Sequence, residues 1–92
     1  MFEKPGKHRK AKRQKQKDHL NWVASQGCMI CGGVACVHHI RLHGEPRDDL
    51  RTIPLCWNHH QGPEGLHYLG KHAWRKVYGH ELDMLDELMK RK

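Results

Sequence analysis

The 92-residue sequence predicts a small α+β domain: a two-stranded hairpin flanked by helices, stapled by zinc and preceded by a basic N-terminal tail. Three observations predict it. Cys28-x-x-Cys31 and Cys56-x-x-His59 are two short-spaced ligand pairs separated by 24 residues. Between them lie two stretches of strand character, Val34–Ile40 and Leu50–Leu55. Hydrophobic residues make up only 37% of the chain, below the ~45–50% of ordinary globular domains, and a core this thin needs a staple.

Taken in order, the elements follow from local composition. Residues 1–17 carry eight Lys and Arg against Glu3, whereas residues 18–92 balance nine basic side chains with nine acidic ones. The whole net charge of +7 therefore sits on the first seventeen residues. With almost no apolar side chains, Met1–Lys17 is expected to be a flexible tail, either a solvated end or an arm that lies on phosphates. Lys10 and Arg13 are its candidate nucleic-acid contacts. Residues 18–92 form the domain proper.

Asp18–Ser25 (DHLNWVAS) reads as a short amphipathic helix with Leu20, Val23 and Ala24 on one face. It can extend back into the tail, because Lys, Gln and Arg favour helix. Gly27 suits its C-cap. Cys28–Gly33 (CMICGG) is a knuckle closed by a Gly pair, and Val34–Ile40 is the first strand. Leu42–Asp49, with Gly44 and Pro46, is a loop. Leu50–Leu55 is the second strand, and its Pro54 belongs at an edge. Cys56–Gln61 starts a short helix, which Gly62, Pro63 and Gly65 stop or bend. Leu66–Tyr78 reads as helical, with Leu69, Ala73, Trp74 and Val77 near one stripe, and Gly79 ends it. Glu81–Met89 is a last helix with Leu82, Leu85, Leu88 and Met89 apolar, followed by cations that suit a helix C-terminus. Trp22, Trp57 and Trp74 are expected to pack within the domain rather than stack on bases.

No apolar run approaches the ~18 residues of a membrane span, and the basic N-terminus lacks the apolar segment of a secretory signal. Both features predict a cytoplasmic protein, in which paired Cys read as metal ligands rather than disulfides. Each pair spans about one turn, so Cys28, Cys31, Cys56 and His59 can converge on one tetrahedral Zn²⁺. Thiolates select zinc over magnesium or calcium. Four protein ligands close the shell, so this zinc is expected to be structural and to contribute to folding. Cys36 fits neither pair and is expected to be a small buried residue on the first strand. A swap of Cys36 for one of the four ligands is the alternative.

Seven of the ten His lie between residues 38 and 72. His38 and His39 are adjacent at a strand end, where neighbouring side chains point to opposite sides. One can bind a metal while the other serves as a general base. His59 and His60 divide in the same way, about 100° apart on a helix, so His60 can meet His38 if His59 faces the zinc.

The run Cys28-x-x-Cys31, Val37-His38-His39-Ile40 and Pro54-Leu55-Cys56-x-x-His59-His60 resembles the HNH (ββα-metal, or His-Me finger) endonucleases. Within that group it is similar to small prophage-encoded nucleases of the YbcO type and to the nuclease part of the phage recombination-enhancement protein Ref. Gly65-Leu66-His67 and Tyr78-Gly79 continue the likeness, which covers about residues 27–79, with residues 80–92 left as the C-terminal helix. The resemblance implies His39 as the general base that takes a proton from the attacking water. It implies His38 and His60 as ligands of one catalytic divalent metal (Mg²⁺, Mn²⁺, Ni²⁺ or Zn²⁺), with His67 as the candidate third ligand. It also implies DNA as substrate and, through Ref, a recombinase filament as a partner. The Asn in the middle of many HNH motifs is absent, and the Asp48–Asp49 pair or Thr52 can brace the hairpin loop instead. Arg41, Arg47 and Arg51 flank that hairpin and are candidate DNA contacts.

Two functions from different classes fit. One is a metal-dependent endonuclease acting on DNA. The other is a zinc-stapled DNA-binding module or recombination accessory factor without catalysis. Only His38, His39 and His60 separate them, because a binding module has no use for paired His beside a metal.

Overall fold

Two four-residue strands, β1 (Cys36–His39) and β2 (Thr52–Leu55), pair antiparallel in the computed structural model, which describes residues 6–42 and 44–92, with side chains from residue 13 onward. The register sets Cys36 opposite Leu55, Val37 opposite Pro54, His38 opposite Ile53 and His39 opposite Thr52. A lone hairpin is marginal in water. This one is held by α1 (Gly6–Ser25) and α5 (Glu81–Met89), which both pack on β2. All four residues of β2 are buried. Between β2 and α5 run α2 (Trp57–His60), α3 (Leu66–Leu69) and α4 (Lys71–Tyr78). Val23, Ile40, Ile53, Leu55, Leu66, Trp74, Met84 and Leu88 form the core, joined by Cys28 of the knuckle. The result is the expected α+β arrangement of one two-stranded sheet with helices around it.

The helix expected over Asp18–Ser25 begins at Gly6, so the division at Lys17 falls inside α1. It marks a change of charge and burial rather than the end of an element. Arg13, Lys15 and Lys17 are exposed, and the inward face begins with half-buried Gln16 and buried His19. Lys10 lies on α1, but its side chain is outside the described residues, as are Met1–Pro5 and His43. The C-terminus closes back on α1: Lys92 Nζ donates to His19 Nδ1 at 2.7 Å and sits 5.1 Å from the Trp22 ring centre.

Both strands are shorter than their sequence patterns. Val34 is 96% exposed and precedes β1, and pairing stops at Cys36 because Leu55 is the last residue of β2. Leu50 and Arg51 belong to a turn, in which Arg51 N donates to Asp48 O at 3.0 Å. Cys36 is exposed rather than buried: it shares the face of buried His38 but lies at the hairpin's open end, where β1 begins. Its Sγ still reaches Leu55 O at 3.2 Å.

Leu66–Tyr78 is two helices, not one. Gly70, at φ +85°, ends α3 and opens α4, a conformation that costs glycine nothing but strains other residues. The break resets the helical phase. Of the predicted stripe only Trp74 is buried, while Leu69, Ala73 and Val77 are exposed. Trp57 is also exposed, at 65%, because the first turn of α2 directs His59 and His60 inward instead. No helix among the described residues is long and apolar enough to cross a membrane.

Candidate metal centres

The knuckle and the start of α2 bring four ligand atoms together. Cys28, Cys31, Cys56 and His59 each offer one atom, and all four atoms lie within 4.8 Å of one another. Cys31 Sγ is 3.7 Å from Cys56 Sγ, and His59 Nδ1 is 3.8 Å from Cys28 Sγ and 3.1 Å from Cys56 Sγ. A tetrahedral zinc with Zn–S near 2.3 Å and Zn–N near 2.0 Å spaces its ligand atoms about 3.4–3.8 Å apart. All four cysteines of the chain are free rather than bridged. Backbone geometry supports the thiolates: Ile30 N donates to Cys28 Sγ and His59 N to Cys56 Sγ, both at 3.4 Å. Burial works against ionising Cys28, but hydrogen bonds from the backbone at Cys56, Cys31 and Ile30 outweigh it and bring the thiol down to about 6. The Gly33 backbone favours the Cys31 thiolate, yet the Cys56 and Cys28 sulfurs together with burial push that thiol above its ordinary value. Charge thus enters the cluster in steps, as interacting sites require, and a dication relieves the repulsion among thiolates. The donor set fits a structural zinc.

His59 is anchored from behind as well. Its Nε2 lies 3.4 Å from Glu64 Oε2, its backbone carbonyl accepts from Trp74 Nε1 at 3.1 Å, and the Tyr78 ring meets it edge-on at 5.4 Å. Met29 N donates to Pro54 O at 3.0 Å, tying the knuckle to β2.

The second group is made of imidazoles only. His38 Nδ1 lies 3.2 Å from His60 Nε2, and His67 Nε2 lies 3.0 Å from the same atom. Three ligands on one ion at 2.0–2.1 Å are about 2.9–3.4 Å apart, so these three nitrogens could hold a cation. His38 and His60 are buried and His67 is exposed. Burial, followed by the neighbouring His38 and His67, lowers His60 to about 4. It is therefore neutral near pH 7, with a lone pair available to a metal. The six residues between His60 and His67 form a tight turn that leads into α3. Gly65 makes it possible, because a Cβ there would stand 2.7 Å from the His60 carbonyl carbon.

His39 turns the other way. Its Nε2 lies 2.8 Å from Asp49 Oδ1, and Asp49 is itself placed by Thr52 Oγ1, which donates to the Asp49 carbonyl at 3.0 Å. Of the two candidate braces, Asp49 holds His39 while Thr52 holds Asp49. A carboxylate only accepts, so in a neutral His39 ring this contact places the hydrogen on Nε2 and leaves Nδ1 to accept.

Two members of the site escaped the sequence reading. Glu81 is fully buried at the start of α5, with Oε2 3.3 Å from His38 Nε2 and Oε1 accepting from Arg75 Nε at 2.6 Å. Burial opposes its ionisation, but His38 and Arg75 hold its carboxyl at about 2. A signal did exist. Glu81, Met84 and Leu88 share the buried face of α5, whereas Asp83, Asp86 and Glu87 are exposed, so Glu81 is an acid on an apolar stripe. Glu64 behind His59 carried no comparable mark.

The candidate DNA-contacting arginines separate by role. Arg41 Nε donates to Glu45 O at 2.9 Å and Arg51 pairs with Glu45 Oε2 at 2.8 Å, so both brace the 41–51 loop. Arg47 is exposed. A groove of about 490 Å³ runs along this loop past Arg47, Arg51 and Asp49, and a second of about 210 Å³ continues past Arg13 and Lys17 of α1. Gln16 and Asp49 line both.

No curated protein and no solved structure matches the chain. A family model described as "Protein of unknown function (DUF968)" matches residues 2–92. Because that match spans nearly the whole sequence, the chain belongs to the DUF968 family.

Proposed function

We propose that the protein is a metal-dependent endonuclease of the HNH type that hydrolyses DNA phosphodiester bonds. The observation that carries this reading is the division of labour on one hairpin. His39 is paired with Asp49 at 2.8 Å, while its neighbour His38 faces the other way into a three-imidazole cluster with His60 and His67. A zinc-stapled binding module needs neither arrangement. The resemblance of the Val37–Ile40 and Pro54–His60 segments to HNH nucleases adds to the reading.

In this mechanism the bare Nδ1 of His39 takes a proton from a water as the water oxygen attacks phosphorus. Asp49 keeps the ring in the productive tautomer and stabilises the imidazolium that results, the role an acid plays behind a catalytic histidine. His38, His60 and His67 would hold the divalent cation. When bound, that cation supplies Lewis-acid stabilisation of the phosphate charge and of the departing 3′ oxygen. The P–O3′ bond breaks, the 3′ oxygen gains a proton from solvent, and a 5′-phosphate is left. Arg13, Lys17 and Arg47 line the groove leading to Asp49 and suit a phosphate backbone.

Supercoiled plasmid incubated with the protein and Mg²⁺, Mn²⁺, Ni²⁺ or Zn²⁺ tests the proposal. Nicking that a chelator abolishes is expected. Binding without nicking under all four ions would point instead to the non-catalytic module.

A further inference from the structure

We infer that Glu81 is a positioning residue for the three-histidine site: its carboxylate fixes His38 in the tautomer that turns a bare Nδ1 toward His60 and His67. The inference rests on reading that cluster as a metal site and is independent of nuclease activity.

The two oxygens of Glu81 have separate partners. Oε1 is taken by Arg75 Nε at 2.6 Å, and Oε2 lies 3.3 Å from His38 Nε2. Both Glu81 and His38 are almost wholly withdrawn from water, at 0% and 5% exposure. Beside a guanidinium the carboxylate is ionised, and an ionised carboxylate can only accept. The hydrogen of His38 therefore lies on Nε2 and its lone pair on Nδ1, the atom that faces His60 Nε2 at 3.2 Å.

A simple ion pair with Arg75 does not explain this placement. Burying a charged pair costs desolvation that an apolar pair of similar volume avoids, and position 81 shares its stripe with Met84 and Leu88. What the carboxylate adds is direction at His38. Cys36 does the same for His60. Its thiol donates to Leu55 O at 3.2 Å, which leaves the sulfur to accept from His60 Nδ1, 3.5 Å away. Both buried imidazoles then present unprotonated nitrogens to each other, an arrangement that is repulsive when empty and favourable around a cation. Partners behind metal-ligating histidines act in this way, and losing one costs about 10- to 100-fold in metal affinity.

The test uses full-length protein carrying one zinc per chain in the Cys site. Long-range proton–nitrogen NMR correlations on the wild type report the His38 tautomer, and Co²⁺ titration reads the three-histidine site through visible absorption without sulfur charge-transfer bands. Expected are an Nε2-protonated His38 in the wild type and Co²⁺ binding weakened about 10- to 100-fold in Glu81→Gln, with the zinc retained as a folding control. An Nδ1-protonated His38 in the wild type, or a folded Glu81→Gln chain that binds Co²⁺ as tightly as the wild type, overturns the inference. If Glu81→Gln does not fold, the wild-type tautomer alone decides. A wild type that takes up no Co²⁺ beyond the Cys site overturns the metal reading itself, and the inference with it.

Discussion

The Nε2 of His39 lies 2.8 Å from Oδ1 of Asp49, ten residues further along the chain and just ahead of β2. In a neutral ring this contact takes the Nε2–H and leaves Nδ1 to accept. Asp49 is half-exposed at 29% and lines the groove that runs between α1 and the hairpin loop. Asp49→Asn keeps the size but lets the side chain donate as well as accept, so the His39 tautomer is no longer enforced. Cleavage is expected to fall by about 10²- to 10⁴-fold, with the zinc content and melting temperature close to wild type. Plasmid-nicking rates on the two proteins measure it.

The Cys cluster is expected to hold about one zinc per chain and to make the core depend on it. Cys28 is both ligand and core residue, and Cys56 caps α2 while its sulfur faces His59. Cys28→Ser or Cys56→Ser should abolish cooperative unfolding, as should removal of zinc by a strong chelator. A zinc-free chain that melts with undiminished cooperativity would show the metal to be dispensable.

Acid is expected to destabilise the protein in two stages when the three-histidine site carries no metal. His60 is lowered from 6.5 to about 4, so the unfolded chain binds its proton first, and stability is lost as pH falls from about 6.5 toward 4. Glu81 is lowered from 4.5 to about 2, and its contribution is present above 4.5 and lost as pH falls toward 2. Denaturant midpoints measured from pH 7 downward should decline through both windows. Flat stability between pH 6.5 and 4 would contradict the buried, neutral His60.

Gly65→Ala should separate His67 from its partners. The added methyl would lie 2.7–2.8 Å from the His60 and Gln61 backbone, which cannot yield without moving α2 or the turn. Loss of metal at the three-histidine site is expected, with zinc at the Cys site retained, as read by Co²⁺ spectra.

The cations of α1 should act mainly through phosphate. Arg13→Ala with Lys17→Ala removes two exposed charges from the groove wall without touching Val23 or the buried His19. Affinity for DNA should weaken, and the log–log salt slope should shrink by about 0.9 for each phosphate that the variant no longer neutralises. An unchanged slope would assign α1 no part in binding.

Much of this arrangement was legible in the sequence. The spacings of Cys28, Cys31, Cys56 and His59 brought out the Cys cluster, because ligand pairs one turn apart leave few geometries. The alternation of strand side chains separated His38 from His39, and the helical step separated His59 from His60. Long-range partners were not legible. Glu81 meets His38 across 43 residues; its place on the apolar stripe of α5 marks it as a buried acid but does not say which distant imidazole it serves. The exposure of Trp57, Cys36 and Val77 was hidden for a related reason. Periodicity gives a stripe, but the turn at Gly70 and the short register of β1 with β2 decide which side of it meets the core.

Whether His39 performs chemistry on DNA is decided by plasmid nicking with His39→Ala. The substitution leaves both ligand clusters intact, so zinc content, Co²⁺ binding and DNA affinity should match the wild type. Under those controls, near-complete loss of nicking is the expected result, and a His39→Ala protein that cuts as fast as wild type would contradict the assignment.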